Sequence, residues 1–260
     1  MNFIDIHGHY AWDVDDGIPT KEDAYQALLL AKQNHITSIV ATPHVVCGMH
    51  NQNDISHILS RIQELKDMGN NLGINIYSGC ELFLNHDCIE SLHHNHFIPI
   101  ENTHYLLVEF DVRKELGDED EVEDYLHEIE ILGYTPIIAH VERYFKKEID
   151  IDRVRDFIDN GYIIQVNATS LLGVHGKTTK KNAYTLLDNG LIHVIASDTH
   201  RCTGHRIPCL LDVYDLISKK YDYHILKTLM FDNPQHILNN EDVELIQVKK
   251  SFFKNLFQRR

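Results

Sequence analysis

A single α/β domain, folded as a distorted seven-stranded (β/α) barrel, is the fold class this sequence predicts, on three observations. Seven short apolar, β-branched runs recur down the 260 residues, each followed by a longer stretch of helical periodicity. No Pro-, Gly- or Ser-rich linker interrupts the alternation, which points to one parallel sheet wrapped by helices. No GxGxxG or Walker-type loop is present, as an open doubly wound sheet would more often show, so a barrel suits the count better.

In chain order the expected strands are 3–7 (FIDIH), 38–44 (SIVATPH), 74–81 (INIYSGCE), 105–110 (YLLVEF), 135–140 (TPIIAH), 162–167 (YIIQVN) and 193–200 (HVIASDTH). Helices are expected over 21–33, 55–68, 121–132, 152–159 and 177–187. Gly69 and Gly133 stand just beyond two of them, where helices often end. Two segments break the pattern: a histidine-bearing excursion at 85–95 and an acidic stretch at 113–123, read as a solvated loop and helix start. Residues 248–260 carry Lys249, Lys250, Lys254, Arg259 and Arg260 and no acid, beside Phe252, Phe253, Leu256 and Phe257 at helical spacing. The chain is therefore divided into the barrel, 1–247, and a basic amphipathic tail, 248–260.

Composition narrows the function. Lys+Arg 24 against Asp+Glu 39 gives a net charge of −15, which argues against nucleic acid as a partner. No apolar run approaches the roughly 20 residues of a membrane span. The opening MNFIDIHGHY lacks the basic-then-apolar pattern of a signal peptide. Five cysteines form no CxxC, so a reduced, cytoplasmic protein is expected. Histidine, at 19, is the outlier.

Where those histidines fall gives them meaning. In a parallel barrel the βα loops surround one mouth at the C-terminal ends of the strands. Strand ends here read His7-Gly-His9, Thr42-Pro43-His44, Cys80-Glu81, Val108-Glu109, Ala139-His140 and Asp198-Thr199-His200, with Asp15-Asp16-Gly17 in the loop after the first. Residues i and i+2 of a strand point the same way, so His7 and His9 can bite one ion, and Asp198 and His200 can serve the same face. Imidazole and carboxylate donors without thiolate suit Mn²⁺, Fe or Zn²⁺. Any one of these elements is weak alone; their joint placement at one rim is specific. His35, His57, His127, His224 and His236 lie on helical segments, and His86, His93, His94 and His96 meet no strand end, so these read as packing or solvent-facing residues.

HGH, VDDG, ATPH, GCE, VEF, AHVER and SDTH, in that order from about Phe3 to about Asn239, resemble the motifs of the PHP (polymerase and histidinol phosphatase) superfamily. VDDG and HVERY are similar to its capsule-associated branch, the metal-dependent protein-tyrosine phosphatases of the CpsB/CapC type. The resemblance implies a distorted barrel with three divalent ions, Mn²⁺ being expected. It assigns His7, His9, Glu81 and Asp198 to the first, Glu81 (bridging), Glu109 and His140 to the second, and Asp16, His44 and His200 to the third. Asp15 competes with its neighbour Asp16. Phosphate would be held by Arg143 and Arg206, with Arg201 a competitor for the latter. The implied substrate is a tyrosine-phosphorylated protein, a membrane-associated tyrosine kinase controlling capsule or exopolysaccharide synthesis. The tail would then offer a peripheral contact with anionic membrane.

Two rivals stand beside this reading: a small-molecule phosphatase of the histidinol-phosphate kind, and a non-catalytic metal-stabilised scaffold. Thiol catalysis is excluded, because position i+6 from Cys47, Cys80, Cys88, Cys202 and Cys209 holds Asn53, His86, His94, Pro208 and Asp215, never the arginine of a C-x5-R loop.

Overall fold

Apolar residues on both faces of short runs build parallel strands that helices cover. The computed structural model describes residues 1–116 and 121–248; the tail at 249–260 and residues 117–120 of the acidic stretch lie outside them. The described strands are β1 (Phe3–Gly8), β2 (Ile36–Ala41), β3 (His44–Val46), β4 (Asn75–Ser78), β5 (Glu81–Phe83), β6 (Tyr105–Glu109), β7 (Thr135–Ile138), β8 (Ile163–Asn167) and β9 (Val194–Ala196). The helices that matter below are α1 (Lys21–Gln33), α2 (Gln52–Leu72), α3 (Cys88–His93), α4 (Val122–Ile131), α5 (Ile151–Asp159), α6 (Ala168–Leu172) and α7 (Lys177–Asn189), with α8 (Leu210–Ile217), α9 (Tyr223–Lys227) and α10 (Asn233–Leu238) after them.

Every strand pairing is parallel, in a three-stranded sheet β1-β2-β4 and a six-stranded sheet β3-β5-β6-β7-β8-β9. Two expected strands, 38–44 and 74–81, are each broken in two. Pro43 has no N–H for a ladder, so the chain steps out at Thr42-Pro43, and the Pro43 carbonyl instead accepts from the Glu81 N–H at 3.0 Å. The partner strand breaks at the same level, between Ser78 and Glu81. The last strand returns to the first through a single parallel bridge, Gly8 to Thr199, with the Asp198 N–H donating to the His7 carbonyl at 2.9 Å. The ring of parallel strands is therefore distorted, and its irregular places are where site residues sit.

The helices form where caps and apolar stripes agree. The Thr20 hydroxyl caps α1 by accepting from the Asp23 N–H at 3.1 Å, and Ala24, Ala27, Leu28 and Ala31 bury one stripe. Asn51 and Asp54 form a capping box for α2, which ends on Gly73 at φ 73°. One large apolar cluster lies between the helices and the strands. A smaller one includes Leu107 and Tyr105, which share their face of β6 with Glu109. The site thus rests on a packed apolar floor, and burying each such side chain contributes about 1.5–3 kcal/mol. The 85–95 excursion contains the short helix α3, with His86, His93 and His94 exposed. No helix among the described residues is long and apolar enough to cross a membrane.

Candidate metal centre

All nine residues expected as ligands converge at one rim of the ring. Four groups have donor atoms within 4.8 Å of one another: His9, Asp16, His44 and His200; His7, His9 and Asp198; His7, Glu81 and His140; and His44, Glu81 and Glu109. Glu81 is the hub. Its Oε2 lies 3.1 Å from Nε2 of both His7 and His9, and its Oε1 lies 2.8 Å from His140 Nε2. Asp198 Oδ1 stands 3.6 Å from the same two Nε2 atoms. His44 lies between groups, with Nδ1 2.8 Å from Glu109 and Nε2 3.4 Å from Asp16. His9 likewise belongs to two groups, one with Asp16, His44 and His200 and one with His7 and Asp198.

Backbone geometry aims these donors. β1 carries His7 with its ring facing inward, and the chain continues straight into His9. His140 (φ 34°) and Asp198 (φ 55°) are held in the left-handed region, which costs non-glycine residues about 1–3 kcal/mol and clusters at functional sites. Gly17 is required by close approach: a Cβ there would lie 2.4 Å from the His9 Cβ and 2.7 Å from the His9 carbonyl. That contact explains the glycine of VDDG.

Asp15 and Asp16, adjacent in sequence, do different things. Asp15 Oδ2 is 2.6 Å from His9 Nδ1 and accepts from the His44 N–H at 2.9 Å, while its Oδ1 accepts from the Gly17 N–H at 2.9 Å. It holds His9 so that Nε2 faces the other donors. Asp16 points at His44 and His200, with Oδ1 3.5 Å from His200 Nε2. The arginines separate as well. Arg206 donates from Nη2 to both oxygens of Asp198 at 2.8 and 2.9 Å, and Arg143 Nη1 lies 3.7 Å from Asp198 Oδ2. Arg201 is spent on the carbonyls of Asp16, Gly17 and His200 at 2.8, 2.6 and 2.6 Å and does not line the cleft.

Reasoning from sequence missed the contribution of β8, which answers to 162–167, the one expected strand with no ligand at its end. Gln165 Oε1 accepts from the His140 N–H at 2.9 Å and lies 3.1 Å from His7 Nδ1. Its Nε2 donates to Asn167 Oδ1 at 2.9 Å, and Asn167 Nδ2 donates to Asp198 Oδ2 at 2.6 Å. Two polar amides at i and i+2 of a fully buried strand were the available signal. Glu142 Oε1 accepts from the Asn167 N–H at 3.1 Å, tying the turn after β7 to β8. Tyr10 and Trp12 are buried in the core rather than in the mouth, and Cys80 is buried, accepting from the Ile98 N–H.

The electrostatics call for positive charge. Burial would lower His7, but Glu81 and Asp198 outweigh it and hold the ring at about 9. The same contest, decided by Glu81 and Glu109, holds His44 at about 10. Burial and the neighbouring Glu81 push Glu109 up to about 7. Burial and then Arg143 lower His140 to about 4. His44 Nδ1 and His200 Nε2 are buried without a hydrogen bond of good geometry, although carboxylate oxygens lie 2.8 and 3.5 Å away. Orphaned nitrogens facing crowded carboxylates, all nitrogen and oxygen donors, fit divalent cations, which compete with protons for the same lone pairs. The cleft above them is about 450 Å³, with Val14, Val46, Phe83 and Val112 as apolar walls and Arg143 and Arg206 at the rim.

The profile of the family described as capsular polysaccharide synthesis, CpsB/CapC, matches residues 3–239. The tyrosine-protein phosphatase CpsB of Streptococcus pneumoniae is 32% identical over 246 residues, covering 92% of this chain and 99% of that protein. A putative tyrosine-protein phosphatase CapC of Staphylococcus aureus is also 32% identical over 246 residues, covering 92% of each. Among solved structures, one from work on YwqE of Bacillus subtilis and CpsB of Streptococcus pneumoniae, described as unique metal-dependent tyrosine phosphatases, superposes with a TM-score of 0.78. It covers 95% of this chain and 100% of that one at 23% identity. A phosphotriesterase homology protein of Escherichia coli shares the fold more distantly, at a TM-score of 0.59 and 12% identity, over 91% of this chain and 98% of that one.

Proposed function

Because the chain belongs to the CpsB/CapC capsular polysaccharide synthesis family, we propose that it is a metal-dependent phosphatase acting on phosphotyrosine in proteins. The observation that carries this reading is the convergence of five imidazoles and four carboxylates beneath a cleft rimmed by two arginines. His7, His9, Asp16, His44, Glu81, Glu109, His140, Asp198 and His200 would hold the ions, three in number, with Mn²⁺ expected and Fe or Zn²⁺ compatible with the donors. Such ions, when bound, supply Lewis acidity and bring the pKa of water toward neutrality.

The chain's own residues do the rest. Arg143 and Arg206 carry planar guanidinium groups that match phosphate oxygens, and Arg206 exchanges its hold on Asp198 for them. Val14, Val46, Phe83 and Val112 receive the phenol ring. Tyrosine leaves as a phenolate of pKa near 10, so a strong general acid is less necessary than for an alkyl phosphate. None of the cysteines lines the cleft, in keeping with a mechanism without a covalent thiol intermediate. The protein substrate in this reading is a membrane-associated tyrosine kinase of capsule synthesis, met in the cytoplasm, with 248–260 as the membrane-proximal segment beyond the 1–247 domain. Nothing favours histidinol phosphate, and a scaffold would not need a complete donor set.

The test is phosphate release from a phosphotyrosyl peptide after chelation and after return of Mn²⁺, Fe²⁺ or Zn²⁺ singly. Activity should vanish with the chelator and return with at least one ion. Undiminished turnover by metal-stripped protein would overturn the proposal.

A further inference from the structure

We propose that the cleft has a second, basic compartment that binds an acidic side chain of the substrate close to the phosphotyrosine. This deepens the phosphotyrosine reading and rests on it. The compartment, about 280 Å³, adjoins the metal centre and shares Val112 and Arg143 with the main cleft. Arg143, Lys146, His175, Thr178 and Thr179 line it, and among the described residues no carboxylate does. In a chain of net charge −15 such a wall is a local reversal of sign.

Elsewhere along the mouth the lining has the contrary character. A compartment of about 400 Å³ shares His50 with the main cleft and is lined by Asp87 and Glu90, without lysine or arginine. A peptide in the mouth therefore has positive charge in one adjoining compartment and negative charge in another. Residues in an extended chain advance about 3.4 Å each, so the neighbours of the phosphotyrosine fall on these flanks.

Each lining group has capacity for a carboxylate. Lys146 has three donors, one of them directed at the Val112 carbonyl, while Glu115 is engaged by the Lys146 backbone N–H at 3.1 Å. Thr178 and Thr179 offer hydroxyls from the first turn of α7, which contains no acid. His175 is held near Thr169 at 3.0 Å, and burial followed by Arg143 keeps it neutral, at about 4. Among the described residues Lys146 is accordingly the cation lining the compartment that the metal-centre chemistry does not use.

The experiment compares phosphotyrosyl peptides that differ only in Glu or Gln within two residues on either side, with p-nitrophenyl phosphate as the reference. Wild-type kcat/KM should favour a Glu-flanked peptide about three- to fivefold, the range of a partly exposed ion pair, and the preference should shrink with salt. Lys146→Glu should remove or invert it while leaving p-nitrophenyl phosphate turnover unchanged; Lys146→Ala should remove it without inversion. Equal rates on Glu and Gln peptides, or a preference that survives Lys146→Glu, would overturn the inference and leave the phosphotyrosine reading intact. Hydrolysis of p-nitrophenyl phosphate with no hydrolysis of any phosphotyrosyl peptide would overturn both.

Discussion

Replacing Gln165 by leucine tests whether β8 holds the metal centre in shape. The change keeps the volume roughly constant but removes one acceptor and one donor group from a site with no access to water. Three buried polar groups lose their partner: His7 Nδ1, the His140 N–H and Asn167 Oδ1, at 3.1, 2.9 and 2.9 Å. An unsatisfied buried group costs about 1–3 kcal/mol, so Gln165→Leu should lower stability by at least about 3 kcal/mol. That is a large part of the 5–15 kcal/mol typical of a domain. Urea unfolding in chelator, followed by the emission of Trp12, the one tryptophan and buried, reads this loss without a contribution from bound ions. Gln165→Leu should also weaken Mn²⁺ binding about 10- to 100-fold, as loss of a partner that orients a ligand usually does. A stability change below about 1 kcal/mol together with wild-type Mn²⁺ affinity would refute the reasoning.

Three further outcomes are expected. His193 is buried, and burial lowers it to about 4 while its Nδ1 accepts from the Ile164 N–H at 2.9 Å. The unfolded chain takes up that proton first, so stability is intact above about pH 6.5 and declines toward pH 4 by about 3 kcal/mol; His193→Asn should flatten that part of the urea-midpoint profile, and an unchanged profile would count against it. Arg206→Lys keeps charge but loses the planar fork that matches two phosphate oxygens, so kcat/KM should fall about 10- to 100-fold, whereas Arg201→Lys should alter thermal stability more than kcat/KM; the reverse order would exchange their roles. Truncation after Val248, which spares the buried Ile246, should leave p-nitrophenyl phosphate turnover unchanged and abolish salt-sensitive binding to anionic vesicles; full-length protein that ignores such vesicles would refute a membrane role for the tail.

The donors were legible because two simple rules act together: alternate strand residues share a face, and parallel strands present their C-terminal ends to one mouth. His7, His9 and Asp198 follow directly from them. The choice between Asp15 and Asp16 was not legible, since it depends on a loop that folds back until Gly17 touches His9. The breaks at Thr42-Pro43 and Gly79-Cys80 were partly legible, because a proline inside an apolar run already argues against an unbroken central strand. Gln165 and Asn167 escaped notice because an amide in a strand acquires meaning only from what stands across the ring, and that is a property of three dimensions.

The bridge from Gly8 to Thr199 has a consequence for how the protein is made. Asp5 and Ser197, joined beside it, are 192 residues apart, so the first imidazoles leave the ribosome long before the carboxylate they face. Two of the four donor groups, His9-Asp16-His44-His200 and His7-His9-Asp198, are completed only when the end of the chain joins its beginning, whereas His44, Glu81 and Glu109 all lie in the first half. Contacts of such long sequence separation form late and fold slowly. Once they form, an ion in either of those two groups, at 100 times its dissociation constant, adds about 2.7 kcal/mol to the finished ring. Cation capture thereby acts as a final proofreading of assembly, favouring chains in which the two ends of the ring have met.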